Sequence, residues 1–187
     1  MKIGIDISQL AHRNTGVGNY LFNLVDHLLK LDSGNEYVLF YSSLRRRIQS
    51  SKFKVQNDNS RPKDDQPLVE KLKIRRFFLP PTLLDLLWNK LHVLPIEWLI
   101  GDVDVFISSD WTQPPSKAKK ATILYDLIVY KYPQETDRKI IETQKRKLKW
   151  VKKECDLIFC ISEATKKDAM EILGIPESKL RVIYPGI

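Results

Sequence analysis

The sequence predicts an α/β domain built on a mostly parallel sheet with helices on both faces. Short apolar runs alternate with longer amphipathic segments along most of the 187 residues, which is typical of strands joined by helical crossovers. In addition, the first strand leads through a glycine-containing loop into the first helix. The hydrophobic content of 43% is enough for one core, and the chain is short for two domains.

The strands are predicted from apolar patterning. Residues Ile3, Ile5 and Ile7 alternate along the first strand, whereas the second strand, at 37–41, is apolar throughout, as expected of a strand buried on both faces. In chain order, the strands are expected at 2–7, 37–41, 74–79, 103–108, 121–127, 157–161 and 181–184.

The helices are predicted from apolar residues that recur three and four positions apart, and from capping residues at their starts. They are expected at 17–31, at 82–99 capped by Thr82, from Thr136 or Asp137 to 153, and from Ser162 to Gly174. Residues 42–71 are predicted to be a mobile surface insertion, with a short strand at 53–55, because they are strongly polar.

Strands and helices in this order make a Rossmann-like domain, in which ligands bind beyond the carboxyl ends of the strands. The loops after Ile7, Ser108, Leu127 and Ile161 are therefore the places to look for a functional site. There is no internal repeat.

Composition restricts the partners and the location. The net charge of +8 suits nucleic acid, an anionic membrane or phosphate-bearing small molecules, although a hydrated basic surface explains it equally well. Cys155 and Cys160 have neither a redox nor a zinc spacing, which favours a reduced, cytoplasmic location. Asp6 interrupts any signal peptide, and no apolar run approaches the roughly 20 residues of a spanning helix, so membrane contact is expected to be peripheral.

The glycine segment Gly16, Val17, Gly18 and Asn19 is the first candidate binding site. Glycines let the backbone approach a ligand, and the start of a helix offers free N–H groups to a phosphate or carboxylate. A simple turn that begins the helix is the alternative. The dinucleotide fingerprint is incomplete, because Leu21 occupies its third glycine position and the second strand ends without an acid, and the chain has no GxxxxGK[ST] phosphate loop.

Polar residues at three other strand ends are further candidates. Asp126, with Tyr125 before it, could orient a sugar hydroxyl or assist proton transfer, or it could cap the next turn. Ser162 and Asp110 have the same ambiguity, since each could bind a ligand or serve as a helix or turn cap. His12 lies in the first loop and could contact a ligand. The histidines show no metal-ligand spacing.

A basic helix is predicted at 138–153, with Ile140, Gln144, Leu148 and Val151 facing inward. Such a helix could lie on an anionic membrane, but hydrated surface lysines are the more common case. Nucleic acid is not expected as a partner, because Trp150 is the one aromatic residue available there for stacking.

Three segments of the chain, taken together, resemble a known family. They are residues 2–6 with 16–20, residues 123–127 with 132–133, and residues 155–168 continuing through 173–176 to 182–187. The chain is similar over nearly its whole length to the N-terminal domain of family 4 (group 1) retaining glycosyltransferases.

The resemblance implies a GT-B architecture, in which two Rossmann-like domains face each other across a cleft. It implies that this domain binds a glycan or lipid-linked acceptor, for cell-surface polysaccharide or glycolipid synthesis, while the C-terminal domain binds the nucleotide-sugar donor. It also implies retention of the anomeric configuration and a hexosyltransferase-like activity. No metal or other cofactor is expected, because helix dipoles and basic side chains carry the diphosphate charge.

The sequence departs from the family pattern in two respects. Tyr125 stands where the family often has a histidine that orients the sugar; either the phenol makes that hydrogen bond instead, or the contact is lost. The sequence stops where the interdomain linker of the family begins, and we expect the donor domain to be missing and this chain to be inactive alone. A non-catalytic basic binding module and a small one-domain enzyme are the competing interpretations.

Overall fold

The sheet confirms the predicted α/β class and is parallel throughout the part of the chain that can be described. The computed structural model describes residues 1–11, 15–44, 48 and 72–185. Its strands are β1 (Lys2–Asp6), β2 (Glu36–Ser42), β3 (Leu72–Phe77), β4 (Val105–Ser108), β5 (Lys119–Leu124), β6 (Leu157–Cys160) and β7 (Leu180–Val182). The strand expected at 53–55 and nearly all of the insertion expected at 42–71 lie outside the described residues.

The strand order is β3-β2-β1-β4-β5-β6-β7. The chain therefore builds outward from β1 to β3, returns to the other side of β1 with β4, and continues outward to β7. Between β1 and β4 the direction of winding reverses. In open parallel sheets this switch point leaves a crevice at the carboxyl ends of the strands, where ligands bind.

The helices connect these parallel strands. They are α1 (Gly16–Leu31), α2 (Pro81–Leu84), α3 (Glu97–Ile100), α4 (Ile128–Lys131), α5 (Arg138–Glu154) and α6 (Glu163–Glu171), and a π-helix (Asp85–Lys90) continues directly from α2. The side chains of Thr15, Asp137 and Ser162 cap α1, α5 and α6, so the last two predicted caps are confirmed. No helix among these described elements is long and apolar enough to cross a membrane.

The single helix expected at 82–99 is wrong. The helical segment begins after Pro80 rather than at a Thr82 cap, and the chain leaves it before α3 begins. His92 and Leu94 adopt left-handed backbone angles, with φ of 53° and 67°. Pro95 explains the break, because proline disfavours helical geometry in the residue before it and has no N–H to donate.

Side chains on the two faces of the sheet pack against different helices. On one face, Ile5, Leu39 and Ile123 join the buried residues of α1. On the other, Phe40 and Phe106 pack against residues 84–100, and the neighbouring strands β5 and β6 pack against α5. The sheet is thus covered on both faces, as predicted, and its carboxyl edge is left to form the site.

Candidate functional site

A cleft of about 800 Å³ lies at the carboxyl edge of the sheet, at the switch point between β1 and β4. The loops after β1, β2 and β4 form its floor, while α1, α2 and the first half of α5 form its walls. Hydroxyl groups, charged groups and apolar side chains all line the cleft. The lining includes the hydroxyls of Ser8, Thr15 and Thr143, the charged Asp110 and Arg146, and the aromatic ring of Trp111. A cleft with hydroxyls, both signs of charge and an aromatic ring suits a polyhydroxylated ligand such as a sugar.

Asp6 fixes the loop that follows β1. Its carboxylate accepts hydrogen bonds from the Ser8 backbone N–H at 2.9 Å and from the Ser8 hydroxyl at 2.5 Å. The Ser8 hydroxyl oxygen in turn accepts a hydrogen bond from the N–H of Ser42 at 3.1 Å. Burial raises the pKa of Asp6, while the bonds from Ser8 and the charge of Lys147 lower it. Asp6 therefore joins the ends of β1 and β2 at the floor of the cleft.

Lys147 of α5 is buried beside the same floor, with a relative exposure of 1%. Burial lowers the pKa of Lys147, whereas the charges of Asp110 and Asp6 raise it. Within the described residues it makes no ion pair shorter than 4 Å, so its ammonium group interacts with these carboxylates through space. The expectation that the lysines of this helix are hydrated is therefore wrong for Lys147, because its position in the helix turns it toward the sheet.

Asp110 connects the cleft to the predicted catalytic residues. It lines the cleft at the end of β4, and its backbone carbonyl accepts a hydrogen bond from Gln144 at 3.1 Å. Burial raises the pKa of Asp110, the charge of Lys147 lowers it, and the charge of Asp126 raises it. The negative charge of Asp126 therefore disfavours ionisation of Asp110, and the positive charge of Lys147 favours it.

Tyr125 and Asp126 follow β5 directly. Tyr125 is buried, and its ring meets that of Tyr20 edge to face, with centroids 5.6 Å apart. Burial raises its pKa, so its hydroxyl stays protonated and can donate a hydrogen bond. Asp126 is exposed and accepts a hydrogen bond from the N–H of Ile128 at 3.1 Å. Asp126 thus makes the turn cap considered above, and its proposed catalytic role stays a prediction.

The predicted glycine segment forms the first turn of α1 rather than the loop before it. The Thr15 hydroxyl oxygen accepts a hydrogen bond from the N–H of Gly18 at 3.1 Å, and the Thr15 carbonyl accepts one from Asn19 at 3.0 Å. A Cβ added at Gly16 would meet no atom of the described residues within 4 Å, so none of these residues blocks the approach of a ligand to its backbone. Val17 lines the cleft. A ligand can therefore approach the start of α1.

Ser162 lies at the start of α6 and does not line the cleft. Its hydroxyl oxygen accepts a hydrogen bond from the N–H of Thr165 at 3.1 Å. The Thr165 hydroxyl donates to the carbonyl of Tyr125 at 3.0 Å, which ties the start of α6 to the end of β5. Of the residues predicted from the sequence, Val17 and Asp110 therefore line the cleft. Tyr125, Asp126 and Ser162 lie along the strand edge beside it.

His12 lies outside the described residues. Among the described ones, no group of three or more histidine, cysteine or acidic residues is placed to hold a metal ion. His92 lies in the turn after the π-helix, where its ring stacks on that of Trp150 with centroids 3.6 Å apart and bonds to Glu154 at 2.9 Å. The long-range partner Glu154 explains this placement.

Several cleft residues on α5 were not predicted from the sequence. Lys139, Thr143 and Arg146 all line the cleft. A guanidinium nitrogen of Arg146 donates to Asp85 at 2.7 Å and to Thr143 at 3.1 Å, while its Nε is buried without a hydrogen-bond partner among the described residues. The sequence did carry a signal for Lys139, Thr143 and Arg146. They are four and three positions apart, which places them on one face of α5.

Fold and cleft together define a Rossmann-like domain with a sugar-compatible site at its switch point. The family model described as Glycosyltransferase Family 4 matches residues 14–187. This chain belongs to that family, which assigns it to the glycosyltransferases. A search of curated proteins found no match.

Proposed function

We propose that this chain is the acceptor-binding domain of a hexosyltransferase that uses a nucleotide-sugar donor and retains the anomeric configuration. The observation that carries the proposal is the cleft at the switch point, where hydroxyl groups, Asp110, Arg146 and Trp111 surround a volume of about 800 Å³. A carboxylate accepts two sugar hydroxyl protons, a guanidinium donates to hydroxyl oxygens, and an indole covers the apolar face of a pyranose ring.

The strand edge beside the cleft is suited to the donor. The starts of α1 and α6, at Gly16 and Ser162, present the positive ends of two helix dipoles to the same side of the sheet as Tyr125 and Asp126. We infer that these helix starts carry part of the diphosphate charge without a metal, and that Tyr125 and Asp126 orient the transferred sugar.

A second Rossmann-like domain would hold most of the nucleotide, in keeping with the GT-B pattern. On this proposal the present chain binds acceptors, binds nucleotides weakly and transfers no sugar by itself. The acceptor is a growing cell-surface polysaccharide or a glycolipid, met at the cytoplasmic face of a membrane. The net charge of +8 supports contact with anionic lipid there.

A basic module for nucleic acid has less support. Trp150, the aromatic residue of the basic helix, stacks on His92, and the ammonium groups of Lys149 and Lys153 lie 5.7 and 4.9 Å from its ring centroid. An indole engaged in this way is not free to stack on bases.

Saturation-transfer NMR with methyl glucoside, methyl galactoside and methyl mannoside tests acceptor binding by the chain. At least one probe should receive saturation, and Asp110→Asn should weaken its binding about tenfold, because a charge-assisted hydrogen bond is lost. Asp102→Asn, at an exposed position before β4, is the matched control and should bind normally. Absence of transfer to every probe, or equal binding by Asp110→Asn, would refute acceptor binding in this cleft.

A further inference from the structure

The segment from β3 to α3 presents a set of outward side chains that are apolar or basic. Large apolar residues are strongly exposed there, with 76% exposure for Trp98, 60% for Phe78 and 59% for Leu91. Leu86 and Val93 are also exposed, as are the cations Lys73, Arg75 and Lys90. We call these eight residues the apolar–basic face.

The inward side chains of the same segment fix the orientation of this face. Trp88, Ile96 and Ile100 are buried against Phe40 and Phe106 of the sheet. Leu87 and Leu99 also pack against this core, whereas Leu91 and Trp98 of the same segment do not and are exposed. The exposure of the apolar–basic face therefore follows from the packing of the core and not from a loose chain end.

The turn at residues 91–94 holds two of the exposed apolar residues in place. The Trp88 indole N–H donates to the carbonyl of Leu94 at 2.9 Å, and His92 bonds to the carbonyl of Trp88 at 2.8 Å. The left-handed angles at His92 and Leu94 are unfavourable for residues with a Cβ, and these bonds hold them. Leu91 and Val93 are thus kept at the surface by a rigid turn.

The three basic residues of the apolar–basic face come from two elements, strand β3 and the π-helix. Lys73 and Arg75 pair in register with Val38 and Phe40, so they project from the sheet face that residues 84–100 cover. They lie at the edge strand, where this cover ends, and Lys90 closes the π-helix. Cations therefore flank the apolar residues.

No exposed acid opposes these cations between residues 72 and 98. The acids of the segment are Asp85 and Glu97, and both are partly buried and engaged. Asp85 accepts hydrogen bonds from Arg146 and Asn89. Glu97 accepts from the Ser116 hydroxyl and from backbone N–H groups that follow it. The outward charge of the face is accordingly positive only.

The basic helix α5 is less suited to a membrane, although it carries more lysines. Its apolar residues Leu148 and Val151 are buried against the sheet. Ile140 is its one large apolar residue with substantial exposure among those described, and Ile140 lines the cleft. Helix α5 can therefore attract anionic lipid by charge but offers no apolar group to insert.

We propose that the apolar–basic face docks onto an anionic lipid bilayer, with Trp98 and Leu91 inserted at the headgroup level. Tryptophan is favoured at that depth, and lysine and arginine add attraction to anionic lipid. Pro81, Thr82 and Lys90 of this segment also line the cleft, so docking brings the cleft to the bilayer surface. The benefit to a lipid-linked acceptor rests on the function proposed above, whereas the docking does not.

Vesicle sedimentation of the chain tests the docking without acceptor or donor. Vesicles of phosphatidylcholine with phosphatidylglycerol should bind the chain, and vesicles of phosphatidylcholine alone should bind it more weakly. The double variant Leu91→Gln/Trp98→Gln should lose at least about tenfold in affinity, because the inserted apolar area is removed. Leu31→Gln, which changes an 84% exposed leucine on α1, is the matched control and should bind normally.

Charge variants separate the face from α5. Lys73→Gln/Arg75→Gln/Lys90→Gln should weaken binding to the anionic vesicles by about fivefold or more for each cation in contact. The control Lys145→Gln/Lys149→Gln/Lys153→Gln on α5 should have the smaller effect. Quenching of tryptophan fluorescence by brominated phosphatidylcholine should occur in the wild type and disappear in Trp98→Phe.

Three results would overturn the proposal. The first is unchanged vesicle binding by the Leu91/Trp98 double variant, and the second is a larger loss of vesicle affinity in the α5 variant than in the variant of the face. The third is concentration-dependent dimerisation that the double variant abolishes, because the face would then bind a second copy of the chain. Thermal unfolding should show each variant to be folded. Docking with no sugar binding would refute the acceptor role alone, and sugar binding with no docking would refute this inference alone.

Discussion

Lys147 allows the most direct test of the buried charges beneath the cleft. Its ammonium group is the cation for two carboxylates, Asp6 and Asp110, which come from strand ends far away in the chain. The substitution Lys147→Met keeps the length of the side chain and removes its charge. Both carboxylates then remain in a poorly solvated site without a countercharge.

Lys147→Met is expected to lower the free energy of unfolding strongly at neutral pH. Removing one partner of a buried ion pair typically costs about 3–5 kcal/mol, a substantial part of the roughly 5–15 kcal/mol that stabilises a domain. Because Lys147 makes no close ion pair with a described residue, the lower end of this range is expected. Lys152→Met, at an exposed position on the same helix, should leave the free energy of unfolding unchanged.

The loss should depend on pH in a defined direction. Burial raises the pKa of Asp6 and Asp110 above the value of 3.8 that holds in the unfolded chain, so the folded state binds more protons. The folded state therefore loses stability as the pH rises from 3.8 through the pKa values of the folded protein. Without Lys147, both pKa values rise further and this loss extends to higher pH. As the pH falls, a growing fraction of both carboxyls is protonated, and the buried cation of the wild type loses its countercharges.

Urea unfolding of both proteins at about pH 4 and at pH 7 measures the difference. The variant should be much less stable than the wild type at pH 7, and the difference in free energy of unfolding should be smaller at pH 4. The reasoning would be refuted by a difference that is the same at both pH values, or by one below about 1 kcal/mol at pH 7, where a buried charge imbalance should dominate.

Three further predictions concern a helix cap, a close-packed glycine and the two buried cysteines. Ser162→Ala should lower the free energy of unfolding by about 1 kcal/mol in urea, through loss of the α6 cap, whereas Ser162→Thr should retain most of it. Gly4→Ala should destabilise by about 1–3 kcal/mol, since its Cβ would lie 2.9 Å from the Ile100 side chain; a neutral effect would contradict the close packing. Burial raises the pKa of Cys155 to about 12 and of Cys160 to about 11, so iodoacetamide at pH 7 should label both in urea and neither when folded.

Local patterns in the sequence were sufficient for the fold class and for most elements. The apolar run of β2 predicts a strand buried on both faces, and the capping residues Asp137 and Ser162 begin the helices that they were expected to begin. The helix expected at 82–99 failed because apolar periodicity continues through a turn. Pro95 marked the break, but the turn is completed by the long-range bond from His92 to Glu154.

The candidate site was predicted in part. Strand-end residues such as Asp110 and Tyr125 were identified because the carboxyl ends of parallel strands share one edge. The cleft residues of α5 were not, since nothing local shows that this helix crosses the switch point. The apolar–basic face was also missed, because exposure of Leu91 and Trp98 depends on how residues 84–100 pack against the sheet.

Lys147 shows where the sequence held more information than was used. It follows Ile140 and Gln144 at helical spacing and precedes Val151 at the same spacing, which places it on the inward stripe of α5. A lysine on such a stripe is rarely buried without acidic groups nearby, so its position predicts carboxylates on the facing sheet. Asp6 and Asp110, at the ends of neighbouring strands β1 and β4, meet that requirement. A charge on an apolar stripe can therefore indicate a site, even where the many other charges of the helix are hydrated.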